Sequence, residues 1–327
     1  MPQTPNLSSP AVVAKILRRR DLRPKNRWGQ NFLVDEDLLN KVVEGGDLGP
    51  EDGVLEIGPG LGALTQALAA RARQVLAVEI DPELYATLTQ ETLVGIPNVQ
   101  VLLQDFLQAD LERIVPEILG PGRHPVVANI PYSITSPVVI RLLEHQHLFD
   151  RIVLMVQKEV ADRLIGEPGT KDYGSLTLFV HLHADASRVA QVPRTAFLPV
   201  PDVDSAIVRL DVLSEPRFPD LDTEHYLAVV HSAFRQRRKN LANALTGPPL
   251  SWTREQALSV LAATGIDPNR RGETLTPDEF AHLTRHAPPV NPPIKIKDTR
   301  RERDERRGRE ATQIAANSED GEGFGQD

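Results

Sequence analysis

The stretch that most constrains this chain runs from Val54 to Gly62, V-L-E-I-G-P-G-L-G, an apolar run that ends in three glycines at alternate positions. The helix-forming sequence A-L-T-Q-A-L-A-A follows at once, so the local order is a buried strand, a glycine loop and a helix. Gly58, Gly60 and Gly62 can take positive φ or let a ligand lie against the main chain, which suits a nucleotide-like ligand. The loop does not say which one. Gly58, Gly60 and Ala63 also match the G-x-G-x-x-G/A dinucleotide pattern, leaving a nicotinamide cofactor and other adenosine-bearing ligands open.

From Val54 onward strands and helices alternate: V-L-E-I, a helix over residues 63–71, Q-V-L-A-V-E-I, then a helix opened by Asp81 and Pro82. The rhythm continues through V-Q-V-L-L, P-V-V-A-N and I-V-L-M-V-Q, predicting a parallel sheet covered by helices on both faces. Ligands bind at the carboxyl ends of such strands. Three of those ends are polar. Glu79 closes the second strand 21 residues after Gly58, the spacing at which a carboxylate reaches both hydroxyls of a ribose; Asp105 follows the third, and Asn129 closes the fourth. Before the sheet, W-G-Q-N-F-L-V-D ends at a candidate N-cap, Asp35, and leads into a helix with Leu38, Leu39, Val42 and Val43 on one face.

The segment N-I-P-Y, Asn129 to Tyr132, points to the chemistry. Pro131 excludes a helical start, so Asn129, the Ile130 carbonyl and the Tyr132 ring are expected in an extended turn at the mouth of the pocket. An amide oxygen and a main-chain carbonyl can accept both hydrogens of one amino group while the aromatic ring stacks on the heterocycle that bears it. That set suits an adenine, whose exocyclic nitrogen is a poor nucleophile until its lone pair leaves the ring plane. A second aromatic, Phe197, lies in F-L-P-V-P-D-V-D-S-A-I-V-R-L, where it either faces a base or anchors the loop on the core, and D-S-A-I-V-R-L reads as the closing strand.

With no cysteine, the chain has no disulfide, no thiolate metal site and no cysteine nucleophile, which rules out covalent attack on a pyrimidine. His181 and His183, at alternate positions, read as surface residues of a strand or helix, and no metal is expected. The net charge of -8 hides two basic clusters. Seven basic residues and one acid lie between Lys15 and Arg27, and Arg235, Arg237, Arg238 and Lys239 form a second cluster in a helical pattern; both favour a polyanion. Helices are predicted at residues 226–234, 237–245, 254–263 and 277–285, after a proline-containing linker over 213–222. The mixed-charge end reads as a disordered tail. No run is long enough to cross a bilayer and no secretory signal opens the chain, so it is expected in the cytoplasm; the acid-free first twenty residues also resemble an organelle transit peptide.

Together these residues resemble the ribosomal RNA adenine N6,N6-dimethyltransferases that act on small-subunit RNA. The likeness covers residues 25–286 and rests on G-Q-N-F-L at 29–33, E-I-G-P-G-L-G at 56–62, V-E-I-D at 78–81, Q-D at 104–105, N-I-P-Y at 129–132, Q-K-E-V at 157–160, Y-G-S-L at 173–176 and the Phe197 loop. The resemblance implies a Rossmann-like seven-stranded class I methyltransferase sheet and a small all-α C-terminal domain. It also implies S-adenosyl-L-methionine as cofactor, bound by Asn31, Leu33, Gly58, Gly60, Glu79, Asp105 and Asn129. Asn129, Ile130, Tyr132 and Phe197 would hold the target base, and Arg235, Arg237, Arg238 and Lys239 would contact RNA. The implied organisation is a basic arm over 1–27, a methyltransferase domain over 28–212, a helical RNA-binding domain over 222–287 and a charged tail over 288–327. The implied reaction is dimethylation of two adjacent adenines in a loop near the 3′ end of small-subunit RNA, by a monomer acting on immature 30S-type particles. Ile130 and Trp28 depart from the family's commoner leucine and phenylalanine. Isoleucine there is also familiar in the large-subunit methylases of antibiotic resistance, but F-R-Q-R-R-K-N-L-A-N-A-L and G-I-D-P-N-R-R-G-E-T-L-T favour the small-subunit group. A nicotinamide-dependent oxidoreductase and a noncatalytic assembly factor on the same fold are the remaining alternatives.

Overall fold

The computed structural model describes residues 5–22 and 30–288. Arg23, Lys25, Arg27 and Trp28, and the tail from residue 289, lie outside the described residues.

The chain opens with α1 (Pro10–Arg19), followed by the two-residue strand β1 (Phe32–Leu33) and α2 (Glu36–Gly45). Asp35 caps α2 as expected, its carboxylate accepting from Leu38 N at 3.0 Å. The alternating core follows: β2 (Gly53–Ile57), α3 (Ala63–Ala69), β3 (Gln74–Glu79), α4 (Pro82–Thr87), β4 (Val99–Leu103), α5 (Leu111–Leu119), β5 (His124–Asn129), α6 (Thr135–Glu144) and β6 (Phe149–Gln157). Then come α7 (Lys158–Leu164), α8 (Ser175–His183), β7 (Ala184–Val192), β8 (Phe197–Leu198) and β9 (Ser205–Val212). Four helices end the described chain, α9 (Thr223–Arg235), α10 (Leu241–Ala244), α11 (Arg254–Ala263) and α12 (Pro277–His286).

Seven strands form one sheet in the order β4-β3-β2-β5-β6-β9-β7. β4 to β6 are parallel, and β9 runs antiparallel to both its neighbours, so it is the one reversed strand. Side chains divide between the faces with the period of two that a pleated strand demands. Leu55, Ile57, Leu76, Val78, Val126, Ala128, Ile152 and Leu154 join one core cluster, which is continuous with the C-terminal helices. Val54, Val75, Val127 and Val153 point to the other face, where α2 and α3 supply Leu38, Leu39, Val42, Leu64 and Leu68.

Two expectations need correction. The cluster Arg237 to Lys239 lies in a turn, not a helix: α9 stops at Arg235, and helix resumes only at Leu241 behind the cap Asn240, whose side chain accepts from Asn243 N. His183 is a core residue. It ends the largely buried α8, is 6% exposed and bonds through Nδ1 to the Gln146 side chain. Within the basic arm, Leu7, Val13 and Ile16 pack on Phe32, Leu61 and Leu84. Arg20 Nε meets Glu91 at 2.9 Å, and Arg19 pairs with the same carboxylate. Strand β7 was not foreseen; with alternate residues exposed and few large apolar ones, it carries only a weak strand signal.

Candidate active site

Strand order reverses at β2, which lies between β3 and β5, and the crevice at this switch point is the natural ligand site of such a sheet. A cleft enclosing about 1150 Å³ of empty space open to solvent lies there. Asn31, Leu33, Gly58, Gly60, Glu79, Asp105, Asn129, Ile130 and Tyr132 all line it.

Each arrives for a local reason. Gly58, Gly60 and Gly62 have φ of +68°, +61° and +94°, which turns the chain sharply from β2 into α3. A Cβ on Gly60 would stand 3.3 Å from the Phe32 ring, and one on Gly62 would stand 3.0 Å from Leu88 and Leu93. Glu79, 4% exposed, accepts from Asp81 N at 2.8 Å through one oxygen and from Gly60 N at 3.3 Å through the other, so it braces the glycine loop. Burial pushes its carboxyl up to about 7, against the pull of those N–H groups. Asp105 accepts from Leu107 N at 2.9 Å, so it caps a 3₁₀ turn as well as lining the cleft.

At the end of β5 the Asn129 amide is oriented: Nδ2 donates to the Asn31 carbonyl at 3.4 Å, leaving Oδ1 as the acceptor end. Ile130 is buried, and its N–H is taken by the Met155 carbonyl. The Pro131 and Tyr132 carbonyls are spent on the following turn, accepting from Thr135 Oγ1 and, for Pro131, from Ile134 N; no described donor takes the Ile130 carbonyl. Pro131 is extended, with φ −54° and ψ 132°, as expected; a 3₁₀ turn over Tyr132–Ile134 then leads into α6.

Phe197 behaves otherwise. Its side chain is 2% exposed and packs in the core with Leu33, Met155, Val192 and Ile207, so the structure gives it the loop-anchoring role and not a face in the cleft. β8 pairs with β1, Leu33 opposite Phe197, which fastens the proline loop to the lead-in of the site. Of the basic cluster, Arg235, Arg238 and Lys239 are exposed and have no ion pair among the described residues, whereas Arg237 Nη2 donates to the carbonyls of Lys171 (2.8 Å) and Tyr173 (3.3 Å).

Sequence reasoning missed several lining residues: Leu7 and Val13 of the N-terminal segment, Gln30, Glu56, Ile80 and Phe106. An apolar cavity wall carries the same pattern as a core, so only two had a legible signal. Ile80 is a large apolar residue, 45% exposed, next to a polar strand end. Glu56 is an acid inside an apolar strand; it is 1% exposed, its Oε2 has no partner among the described residues, and burial pushes its carboxyl up to about 8.

The lining also chooses among ligands. It includes Glu56, Glu79 and Asp105, and among the described residues it includes no lysine or arginine. A pyrophosphate would find no side-chain cation, whereas a ribose diol finds carboxyl acceptors. The glycine turn, the ribose-spaced carboxylate and a described lining without cations fit S-adenosylmethionine. Fold and site therefore define a class I, S-adenosylmethionine-dependent methyltransferase.

Known proteins narrow that class. Residues 21–287 match the family model described as ribosomal RNA adenine dimethylase. The chain is 44% identical over 285 residues to the ribosomal RNA small subunit methyltransferase A of Moorella thermoacetica, an alignment covering 86% of this chain and 98% of that one. Among solved structures it is similar to a dimethyladenosine transferase from Plasmodium falciparum (TM-score 0.65, 27% identity, 76% of this chain and 94% of that one). It is also similar to the 23S rRNA methyltransferase ErmE (TM-score 0.61, 32% identity, 78% and 99%). The chain belongs to the ribosomal RNA adenine dimethylase family and is an rRNA adenine methyltransferase that uses S-adenosylmethionine.

Proposed function

We propose that this enzyme dimethylates N6 of two adjacent adenines in a loop near the 3′ end of small-subunit ribosomal RNA. It acts as a monomer on immature 30S-type particles in the cytoplasm. The observation that carries the reading is the oriented Asn129 amide beside the Ile130 carbonyl, which no donor takes among the described residues. Two acceptors at one point suit one amino group, and holding both its hydrogens favours a tetrahedral nitrogen with its lone pair out of the ring plane. S-adenosylmethionine, when bound, supplies an electrophilic sulfonium methyl. The chain's own residues bind and orient: Glu79 accepts from the ribose hydroxyls, Asp105 from the donor's adenine amino group, and Asn31, Leu33, Gly58 and Gly60 shape the seat. Tyr132 stacks on the target adenine, which must lie outside its own stack to reach the ring. Positioning supplies much of the acceleration, and the amino proton leaves to solvent after transfer.

Arg235, Arg237, Arg238 and Lys239 are proposed to meet the phosphate backbone. A second hollow, lined by Lys158, Lys171 and Arg194 but also by Glu159, Asp162, Asp172, Asp202 and Asp204, has more acids than bases and suits phosphate poorly. Among the described residues no helix is long and apolar enough to cross a membrane.

Asn129→Ala should abolish incorporation of labelled methyl into immature small subunits while leaving RNA binding largely intact. Undiminished transfer by that variant would refute the role of Asn129. Label appearing in large-subunit RNA instead would refute the choice of substrate.

A further inference from the structure

The Tyr132 hydroxyl lies 2.8 Å from Ser205 Oγ. Ser205 opens the reversed strand β9, is 0% exposed and does not line the cleft. A hydroxyl buried that completely needs a partner, and among the described residues Tyr132 is the one in hydrogen-bond contact with it. An alanine would serve the sheet equally well there, so the hydroxyl's use lies toward the tyrosine.

The serine is also firmly held. Its register places it opposite Gln157 of β6 and Val192 of β7. The preceding residue is clamped twice, the Asp204 carbonyl accepting from Lys158 N at 3.0 Å and its side chain from Arg194 N at 2.9 Å. Tyr132, by contrast, opens a single 3₁₀ turn and is only partly buried. A bond at the far end of a ring limits its swing about the Cα, because the phenolic oxygen is the atom that such a swing displaces most. Burial raises the phenol above its ordinary range, so it remains an O–H and the contact persists at neutral pH.

We infer that Ser205 is a positioning residue for methyl transfer, holding the Tyr132 ring in the place against which the acceptor adenine stacks. The inference rests on the reading of Tyr132 as the stacking ring. A ring free to tilt still contributes apolar area to RNA binding but loses the orientation of the amino nitrogen. Its loss therefore falls on kcat and not on KM.

The test uses the full chain and immature small subunits, with Ser205→Ala, Tyr132→Phe, the double variant and Tyr132→Ala. A hydrogen bond of ordinary net strength corresponds to a fall in kcat of about three- to tenfold. Ser205→Ala and Tyr132→Phe should each show such a fall, with KM for RNA and donor affinity within about twofold of wild type. The double variant should be no slower than the slower single, because both remove one contact. Should Ser205→Ala fold poorly, Tyr132→Phe keeps the serine and carries the test. Wild-type kcat in Tyr132→Phe, or multiplicative losses in the double variant, would overturn the inference. If that happens while Tyr132→Ala is inactive, the stacking reading survives; if Tyr132→Ala is fully active, that reading falls as well.

Discussion

At the residue scale the cleft turns on carboxyl groups removed from water. The Glu79 carboxyl in the unliganded protein is pushed up to about 7, mainly by burial. The ionised form is the better acceptor for two hydroxyl hydrogens, so donor affinity should fall as pH drops through that value. Between pH 8 and pH 6 the ionised fraction falls about tenfold, and calorimetry should show a matching rise in donor Kd. Glu79→Gln should bind weakly with a flatter profile; a pH-independent Kd in the wild type would disprove the assignment. Glu56 tests the fold by the same logic. Its folded-state pKa of about 8 exceeds the ordinary 4.5, so the native state keeps a proton that the unfolded chain releases. The associated stability is complete below about 4.5 and is lost as pH rises toward 8. Glu56→Gln should therefore gain on the wild type in Tm between pH 5 and pH 8, and a constant difference would show that the carboxyl is ionised throughout. Glu79, Asp105 and Asn129 were legible in the sequence because polar residues at strand ends stand out from apolar runs. Phe106 was not, since nothing local separates a cavity wall from a core.

At the element scale the glycine loop does two jobs that substitutions should separate. At Gly58 a Cβ meets nothing nearer than Pro131 Cδ at 3.7 Å, so Gly58→Ala carries only the left-handed backbone penalty, about 1–2 kcal/mol. At Gly62 the same penalty is joined by overpacking on Leu88 and Leu93, adding about 1–3 kcal/mol. Urea unfolding should rank Gly62→Ala clearly below Gly58→Ala, and equal midpoints would contradict the packing seen around α3. The loop was readable because three glycines after an apolar run have few other uses. The role of α1 was not. Its basic residues stand out in sequence, yet its position comes from Leu7, Val13 and Ile16, whose partners Phe32, Leu61 and Leu84 are distant in the chain. Phe197 misleads for a related reason: an aromatic beside two prolines suggests a loop facing a ligand, and only the β1–β8 pairing reveals that the ring points inward.

At the scale of the whole molecule the two parts share one core, and the basic turn lies on their seam. Tyr173, before α8, donates its hydroxyl to the Leu275 carbonyl at 2.8 Å, and Gly169 N donates to the Glu273 carbonyl at 2.7 Å. The linker is docked too, Arg217 Nε donating to the His181 carbonyl at 2.9 Å. Arg237 closes the same seam through the Lys171 and Tyr173 carbonyls, while its half-exposed pairing with Glu273 at 3.4 Å adds little. In sequence Arg237, Arg238 and Lys239 are indistinguishable, but the structure divides them by what they hold. Arg238→Ala should weaken RNA binding and reduce the slope of log K against log salt by about one unit, with Tm unchanged. Arg237→Ala should lower Tm by several degrees as well, since two main-chain acceptors lose about 1 kcal/mol or more of bonding. Tyr173→Phe should lower Tm without touching the salt slope, because the buried Leu275 carbonyl loses its donor while no cation is removed. An Arg237→Ala protein as stable as wild type would mean that the seam does not depend on the basic turn, and that all four cations are available to RNA alone.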